Sequence, residues 1–174
     1  MKVMKVILYA NVSLNGQVLL SENQHHQVPM EIIEAAAADI RRTGNLIMGR
    51  KSFENFEKAV GGATQLQLAF PNVEMVWLSA RTVTKPGRIT AHSPEEAIQY
   101  LSSKGFREVI VGGGPDSYAA FLEKKLITDV LLNVVPLFTV GGAIGNFHEA
   151  AISLKLVGHQ YLTPEVVQLH YQIT

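Results

Sequence analysis

The chain has 174 residues, and 15 Lys and Arg against 15 Asp and Glu leave a formal net charge of zero. Nothing in that balance draws it non-specifically to nucleic acid or to an anionic membrane. With no cysteine it can form no disulfide, thiolate nucleophile or cysteine-ligated zinc, and its length suits one domain over residues 1–174.

The predicted elements begin with an apolar strand over Val3–Val12. Asn11 interrupts that run too soon for a signal peptide or a membrane span, so a cytoplasmic protein is expected. His25 and His26 follow in a polar segment. Adjacent strand residues face opposite ways, and no Cys, His or carboxylate set repeats at ligand spacing. The two histidines are therefore expected at the mouth of a substrate pocket, with no metal. Pro29–Arg42 reads as a helix, with Ala35–Ala38 supplying propensity and Gly44 closing it.

Leu46–Met48 reads as a buried strand running into Gly49, Arg50, Lys51 and Ser52, with a helix from Ser52 to Ala59. Two cations, a hydroxyl and free helix amides would converge there, although each cation alone also fits a solvated surface. A third strand, Val73–Leu78, ends in Ser79, Ala80 and Arg81. Ser93-Pro94-Glu95-Glu96 is a helix start, with Ser93 as cap, Pro94 in the first position and Glu96 completing a capping box before Gly105 ends the helix.

The most informative turn follows. The strand Val109–Val111 runs into Gly112, Gly113 and Gly114, and Pro115-Asp116-Ser117 then open a helix. Three residues without Cβ let the backbone approach a ligand, while the helix adds unpaired amides and its positive dipole end. A phosphate fits such a turn; an empty strand-to-helix turn is the plainer alternative. There is no Gly-Lys-Ser/Thr ending of a P-loop, and Ser117 replaces the third glycine of a Rossmann fingerprint. Asp129–Val135 is another apolar strand, with Asp129 read as structural. Leu154–Tyr161 and Val166–Ile173 form a closing pair around Thr163-Pro164 that makes the sheet mixed.

Strands alternating with helices predict an α/β sheet, and no repeat, linker or low-complexity tract divides it. In such sheets ligands bind beyond the carboxyl ends of the strands. Three strand ends with phosphate-competent chemistry predict one long polyanionic ligand, a dinucleotide.

Met48-Gly49-Arg50-Lys51-Ser52-Phe53, then Leu78-Ser79, then Val111-Gly112-Gly113-Gly114 resembles the dihydrofolate-reductase-like superfamily. Ala10 with Ser13-Leu14-Asn15-Gly16 is similar to its early Ala…Ser-Leu-Asp-Gly segment. Phe121-Leu122, Leu126-Ile127-Thr128-Asp129, Val135-Pro136 and Gly141-Gly142 resemble a tract of the riboflavin-biosynthesis (RibD C-terminal domain) reductases. The resemblance covers nearly the whole chain, although the cysteine-containing zinc motif of the deaminase half that often accompanies these reductases is absent. It implies a dihydrofolate-reductase-like three-layer fold, with a mixed, mostly parallel central sheet, flanking helices and a C-terminal antiparallel strand pair. It also implies NADPH as cofactor, the nicotinamide beside Ala10. The rest of the cofactor would meet Gly49, Arg50, Lys51, Ser52, Ser79, Arg81, Val111, Gly112, Gly113, Gly114, Asp116 and Ser117. Arg50, Lys51, Ser79 and Arg81 fall where the resemblance places the adenosine 2′-phosphate.

Hydride transfer asks for alignment and one proton source near the nicotinamide. Asn15 stands where the family has an acidic residue and cannot donate a titratable proton. Glu31 is similar in position to the Pro-x-Asp/Glu acid of dihydrofolate reductases; its other role is a favourable carboxylate at a helix start. Water is the remaining donor. No tryptophan precedes Pro29, which departs from dihydrofolate reductase proper. The expectation is an NADPH-dependent reductase of the riboflavin-biosynthesis type, 5-amino-6-(5-phosphoribosylamino)uracil reductase or a close paralogue. Its substrate would be a ribosylamino-pyrimidine or pterin-like small molecule. A dihydrofolate or dihydropteridine reductase and a non-catalytic NADPH-binding protein are the alternatives. The resemblance and the apolar strand Val130–Val135 point to a homodimer.

Overall fold

The computed structural model describes residues 4–81, 88–145 and 151–174, so Val3, the first residue of the predicted opening strand, lies outside it. Its strands are β1 (Lys5–Ser13), β2 (Asn45–Gly49), β3 (Glu74–Leu78), β4 (Ile89–Ala91), β5 (Glu108–Val111), β6 (Asp129–Val135), β7 (Leu154–Tyr161) and β8 (Val167–Ile173). They form one sheet in the order β4-β3-β2-β5-β1-β6-β8-β7. Every pair from β4 to β6 is parallel, whereas β8 runs antiparallel to both β6 and β7.

Helices α1 (Met30–Thr43), α2 (Arg50–Ala59) and α3 (Ala63–Ala69) cover one face, and α4 (Pro94–Ser103) and α5 (Pro115–Glu123) the other. Alternation along β1 shows why both are needed. Val6, Leu8, Ala10 and Val12 pack with Ala97, Leu101 and Phe121, while Tyr9 joins Leu46, Phe53, Leu66 and Trp77 on the opposite side. A parallel sheet buried on both faces reads as nearly continuous apolar strands, as these do. The three-layer, mostly parallel mixed sheet with its C-terminal antiparallel pair is thus the expected fold.

Helix ends follow local chemistry. Ser93 Oγ accepts the Glu96 N–H at 3.1 Å with Pro94 in the first position, and Gly44 closes α1 at φ 74°. The Glu96 carboxylate accepts from His92 N–H at 2.7 Å, one residue outside the cap. Helix α2 begins at Arg50, two residues earlier than its pattern suggests, so Arg50, Lys51 and Ser52 form its first turn.

Asp129 is structural, as read, but as the first residue of β6. Its carboxylate accepts from Thr128 Oγ1 at 2.7 Å and meets His170 Nε2 at 2.7 Å, tying β6 to β8. The apolar strand Val130–Val135, from which a homodimer is expected, is interior to the sheet. β6 lies between β1 and β8 and has no free edge; the edges of the described sheet are β4 and β7. No helix among the described residues is long and apolar enough to cross a membrane.

Candidate functional site

Strands β3, β2 and β5 are consecutive in the sheet, so the three ends singled out from sequence lie side by side. After β2 the chain turns into α2 on one face, and after β5 into α5 on the other. Helices leaving adjacent strands in opposite directions open a crevice between them.

Both helices start on a glycine, Gly49 and Gly114, with no side-chain cap over their first amides. A Cβ on Gly49 would lie 2.7 Å from Ser117 Oγ, and one on Gly113 would lie 3.5 Å from both Ser52 Oγ and Ser117 Oγ. The two helix starts therefore converge on one small cradle. Among the described residues, the Ser52 and Ser117 hydroxyls and the Gly113 and Gly114 N–H groups have no hydrogen-bond partner. Gly112 differs, because its N–H donates to Ile47 O at 2.9 Å and fastens β5 to β2. Gly112 lines the cleft with its amide held in the sheet, and Val111, anticipated as a cofactor contact, is a fully buried core residue outside the cleft lining.

Charge around the cradle is uneven. Arg50 is paired with Glu54 at 2.8 Å, so its charge is already answered. Lys51 is exposed on the same turn, and Arg81 is exposed beyond β3, its N–H donating to Ser79 Oγ at 3.2 Å. Asp116 is exposed in the first turn of α5, a carboxylate on the margin of an otherwise anion-favouring place.

The cradle opens into a cleft of about 480 Å³ between α1 and the sheet. Tyr9, Asn11, Leu46, Met48 and Ile110 form its floor; Ile33, Glu34, Ala37 and Arg41 of α1 face them, and Ser52, Gly112 and Gly113 stand at the junction. Apolar walls with a few polar groups suit a planar ring, held next to a ligand whose phosphates lie in the cradle.

Several anticipated residues stand elsewhere. Glu31 is exposed in the first turn of α1 and outside the cleft lining, which includes Glu34 one turn on. Asn15 is a clamp: Nδ2 donates to Thr139 O at 2.9 Å, and Oδ1 accepts from Thr139 N–H at 3.3 Å and from Ser13 Oγ at 2.6 Å. Ala10 is 2% exposed and packs toward α5, away from the cleft floor. His26 accepts the Leu20 N–H at 3.1 Å on Nε2, with Nδ1 3.2 Å from Thr139 Oγ1, and so orders the loop whose Leu19–Glu22 line the cleft. His25 is exposed.

Sequence reasoning missed Tyr9, Asn11, Tyr118, Asn133 and Gln168. Tyr118 Oη donates to Tyr9 O at 2.7 Å, and burial pushes its phenol up. Burial likewise pushes the Tyr9 phenol up to about 12. Asn11 and Asn133 were findable as amides inside apolar strands, where a polar group needs a partner.

No protein-family model and no curated protein matches the sequence. Solved structures do. A protein from Shewanella sp. PV-4 assigned to riboflavin biosynthesis superposes with a TM-score of 0.69 at 19% identity, covering 98% of this chain and 99% of that one. Acinetobacter baumannii RibD, form 2, gives a TM-score of 0.75 at 16% identity, covering 100% of this chain. The chain spans 59% of that RibD. A pyrimidine reductase-like protein from Corynebacterium diphtheriae gives 0.69 at 11% identity, covering 98% and 92%. The chain has the RibD-like, dihydrofolate-reductase-like fold.

Proposed function

We propose that the chain is an NADPH-dependent reductase of the riboflavin-biosynthesis type, a single domain over residues 1–174. It would reduce 5-amino-6-(5-phosphoribosylamino)uracil or a close relative. The observation that carries this reading is the continuity of the two-helix cradle with the apolar cleft, at the crevice where an α/β sheet takes its ligands. The folds of RibD and the pyrimidine reductase-like protein support it.

In this reading the Gly113 and Gly114 amides and the Ser52 and Ser117 hydroxyls hold the pyrophosphate. Lys51, Ser79 and Arg81 hold the 2′-phosphate, with Arg50 shared with Glu54. When bound, NADPH supplies the hydride. The chain contributes alignment and exclusion of bulk water, which carry much of the rate in hydride transfer. With Glu31 outside the cleft and Asn15 committed to Thr139, we assign the proton to water. A cytoplasmic location, where reduced nicotinamide is supplied, goes with the reading. So does a homodimer through edge strand β7, where Leu154, Leu156, Val157 and Tyr161 are exposed.

The test is loss of NADPH absorbance with the aminouracil phosphate, dihydrofolate and a dihydropteridine. Oxidation with the aminouracil is expected. NADPH binding without oxidation of any substrate would overturn the enzyme in favour of a cofactor-binding protein. Arg81→Ala should weaken NADPH about 10- to 150-fold and leave NADH unchanged at fixed salt, since a hydrogen bond to a charged partner contributes roughly 1.5–3 kcal/mol. Equal affinities for both cofactors in parent and variant would remove the 2′-phosphate from this crevice.

A further inference from the structure

Asn11, Asn133, Gln168 and Gln160 are register partners on β1, β6, β8 and β7, so four amides stand in one row across the sheet. The row is bonded in a single direction. Gln160 Nε2 donates to Gln168 Oε1 at 2.7 Å, Gln168 Nε2 to Asn133 Oδ1 at 2.9 Å, and Asn133 Nδ2 to Asn11 Oδ1 at 2.9 Å. Each carbonyl is taken by the amide farther from the cleft. The row therefore ends in Asn11 Nδ2, which lines the cleft and has no partner among the described residues.

Tyr9 completes the arrangement. Its Oη accepts from Asn133 Nδ2 at 3.0 Å and from Gln168 Nε2 at 3.5 Å, which leaves its own hydrogen without an acceptor among the described residues, on a side chain of the cleft floor. Buried amides are costly unless bonded, and bonds aligned head to tail polarise one another toward the terminal donor. With its phenol raised to about 12, Tyr9 remains a donor throughout the neutral range. The charged residues that line the cleft, Glu22, Glu34 and Arg41, are all exposed, and Arg41 Nε donates to Ala69 O at 3.0 Å.

We propose that Tyr9 and Asn11 are the substrate-orienting residues of the cleft, two donors aligned by Asn133 and Gln168. They select a planar ligand whose buried edge presents acceptors, such as ring carbonyl oxygens, over one that presents amino groups. An amino edge would face two donors and leave all of them unpaired, which is how a hydrogen-bonding site rejects the wrong analogue. The inference rests on the reductase reading only in taking the ligand of this cleft as the substrate.

Two variants test it. Asn11→Asp keeps the oxygen that Asn133 bonds and turns the cleft-facing nitrogen into an acceptor; Tyr9→Phe removes only the hydroxyl. The probes are 6-ribitylaminouracil and its 2,4-diaminopyrimidine counterpart, titrated calorimetrically with and without NADPH, with NADPH affinity measured separately. The parent should prefer the uracil. Tyr9→Phe should weaken it about tenfold, and Asn11→Asp should weaken it about 10- to 100-fold and reverse the preference, with NADPH affinity unchanged. Parental probe ratios in both folded variants, or a parent that binds neither probe, overturn the proposal and leave the cofactor reading standing. If Asn11→Asp fails to fold, Tyr9→Phe alone decides. A parent that binds no NADPH while the donors still govern the probe ratio overturns the reductase and leaves the donor pair.

Discussion

Gly113 and Gly114 are adjacent, yet a side chain costs different things at each. Gly113 sits at φ 114°, where any substitution strains the backbone whether or not a ligand binds. Gly114 has φ −110°, and a Cβ there would lie 3.6 Å from Ser52 Oγ, an ordinary contact. Gly114→Ala is therefore expected to fold with little change in Tm and to weaken NADPH about tenfold by crowding the cradle. Titration of NADPH alongside a thermal melt reads both, and parental affinity in the folded variant would move the phosphates elsewhere. The glycine triplet was legible in sequence because a missing Cβ is a property of the residue itself. The fates of Asn15 and Glu31 were not. Asn15 is claimed by Thr139, 124 positions away, and Glu31 is decided by which side of α1 faces the sheet.

At the scale of elements, the cleft mouth is held by one node. Thr139, beyond β6, exchanges two backbone bonds with the Asn15 amide, its carbonyl accepting from Nδ2 and its N–H donating to Oδ1, and lies against the His26 ring, so the turn after β1, the loop before α1 and the segment after β6 meet there. Asn15→Ala should remove about 1–2 kcal/mol of stability. It should also speed hydrogen exchange in residues 14–26 and 137–143 while the β1 core keeps its protection. Unchanged exchange in those loops would show that the amide carries no structural load. Strands β6 and β7 were readable residue for residue because long apolar or closing runs have clear ends. Helix α3, with seven residues, and β4, with three, are too short to display a period and were missed.

For the whole molecule, the strand order was the part sequence could not supply, since it is settled by long-range pairing. Inserting β5 between β2 and β1 brings the two glycine turns together, and placing β8 beside β6 builds the amide row. The same burial predicts an alkaline limit. The unfolded Tyr9 phenol ionises near 10 and the folded one near 12, so above pH 10 the unfolded chain loses its proton first. Stability is full below that point and falls from pH 10 to 12 by up to about 1.4 kcal/mol per pH unit for each such tyrosine. Tyr118, also raised by burial, adds a second proton. Urea unfolding of Tyr118→Phe at pH 9, 10 and 11 should show the shallower dependence. An identical slope in parent and variant would mean that Tyr118 does not contribute.

The one tryptophan of the chain, Trp77, is fully buried on β3, pairs in register with Met48, and packs against Phe53 in the first turn of α2, ring centres 4.9 Å apart and tilted by 45°. An indole shielded from water emits toward the blue, in the near ultraviolet where a dihydronicotinamide absorbs. The chain thus carries a single indole fluorophore, selectively excited at the red edge of protein absorption, one residue from the end of its strand and beside the cradle. Resonance energy transfer to the cofactor should report occupancy without a label, and the quenching should vanish when the oxidised cofactor, which lacks that absorption band, takes its place.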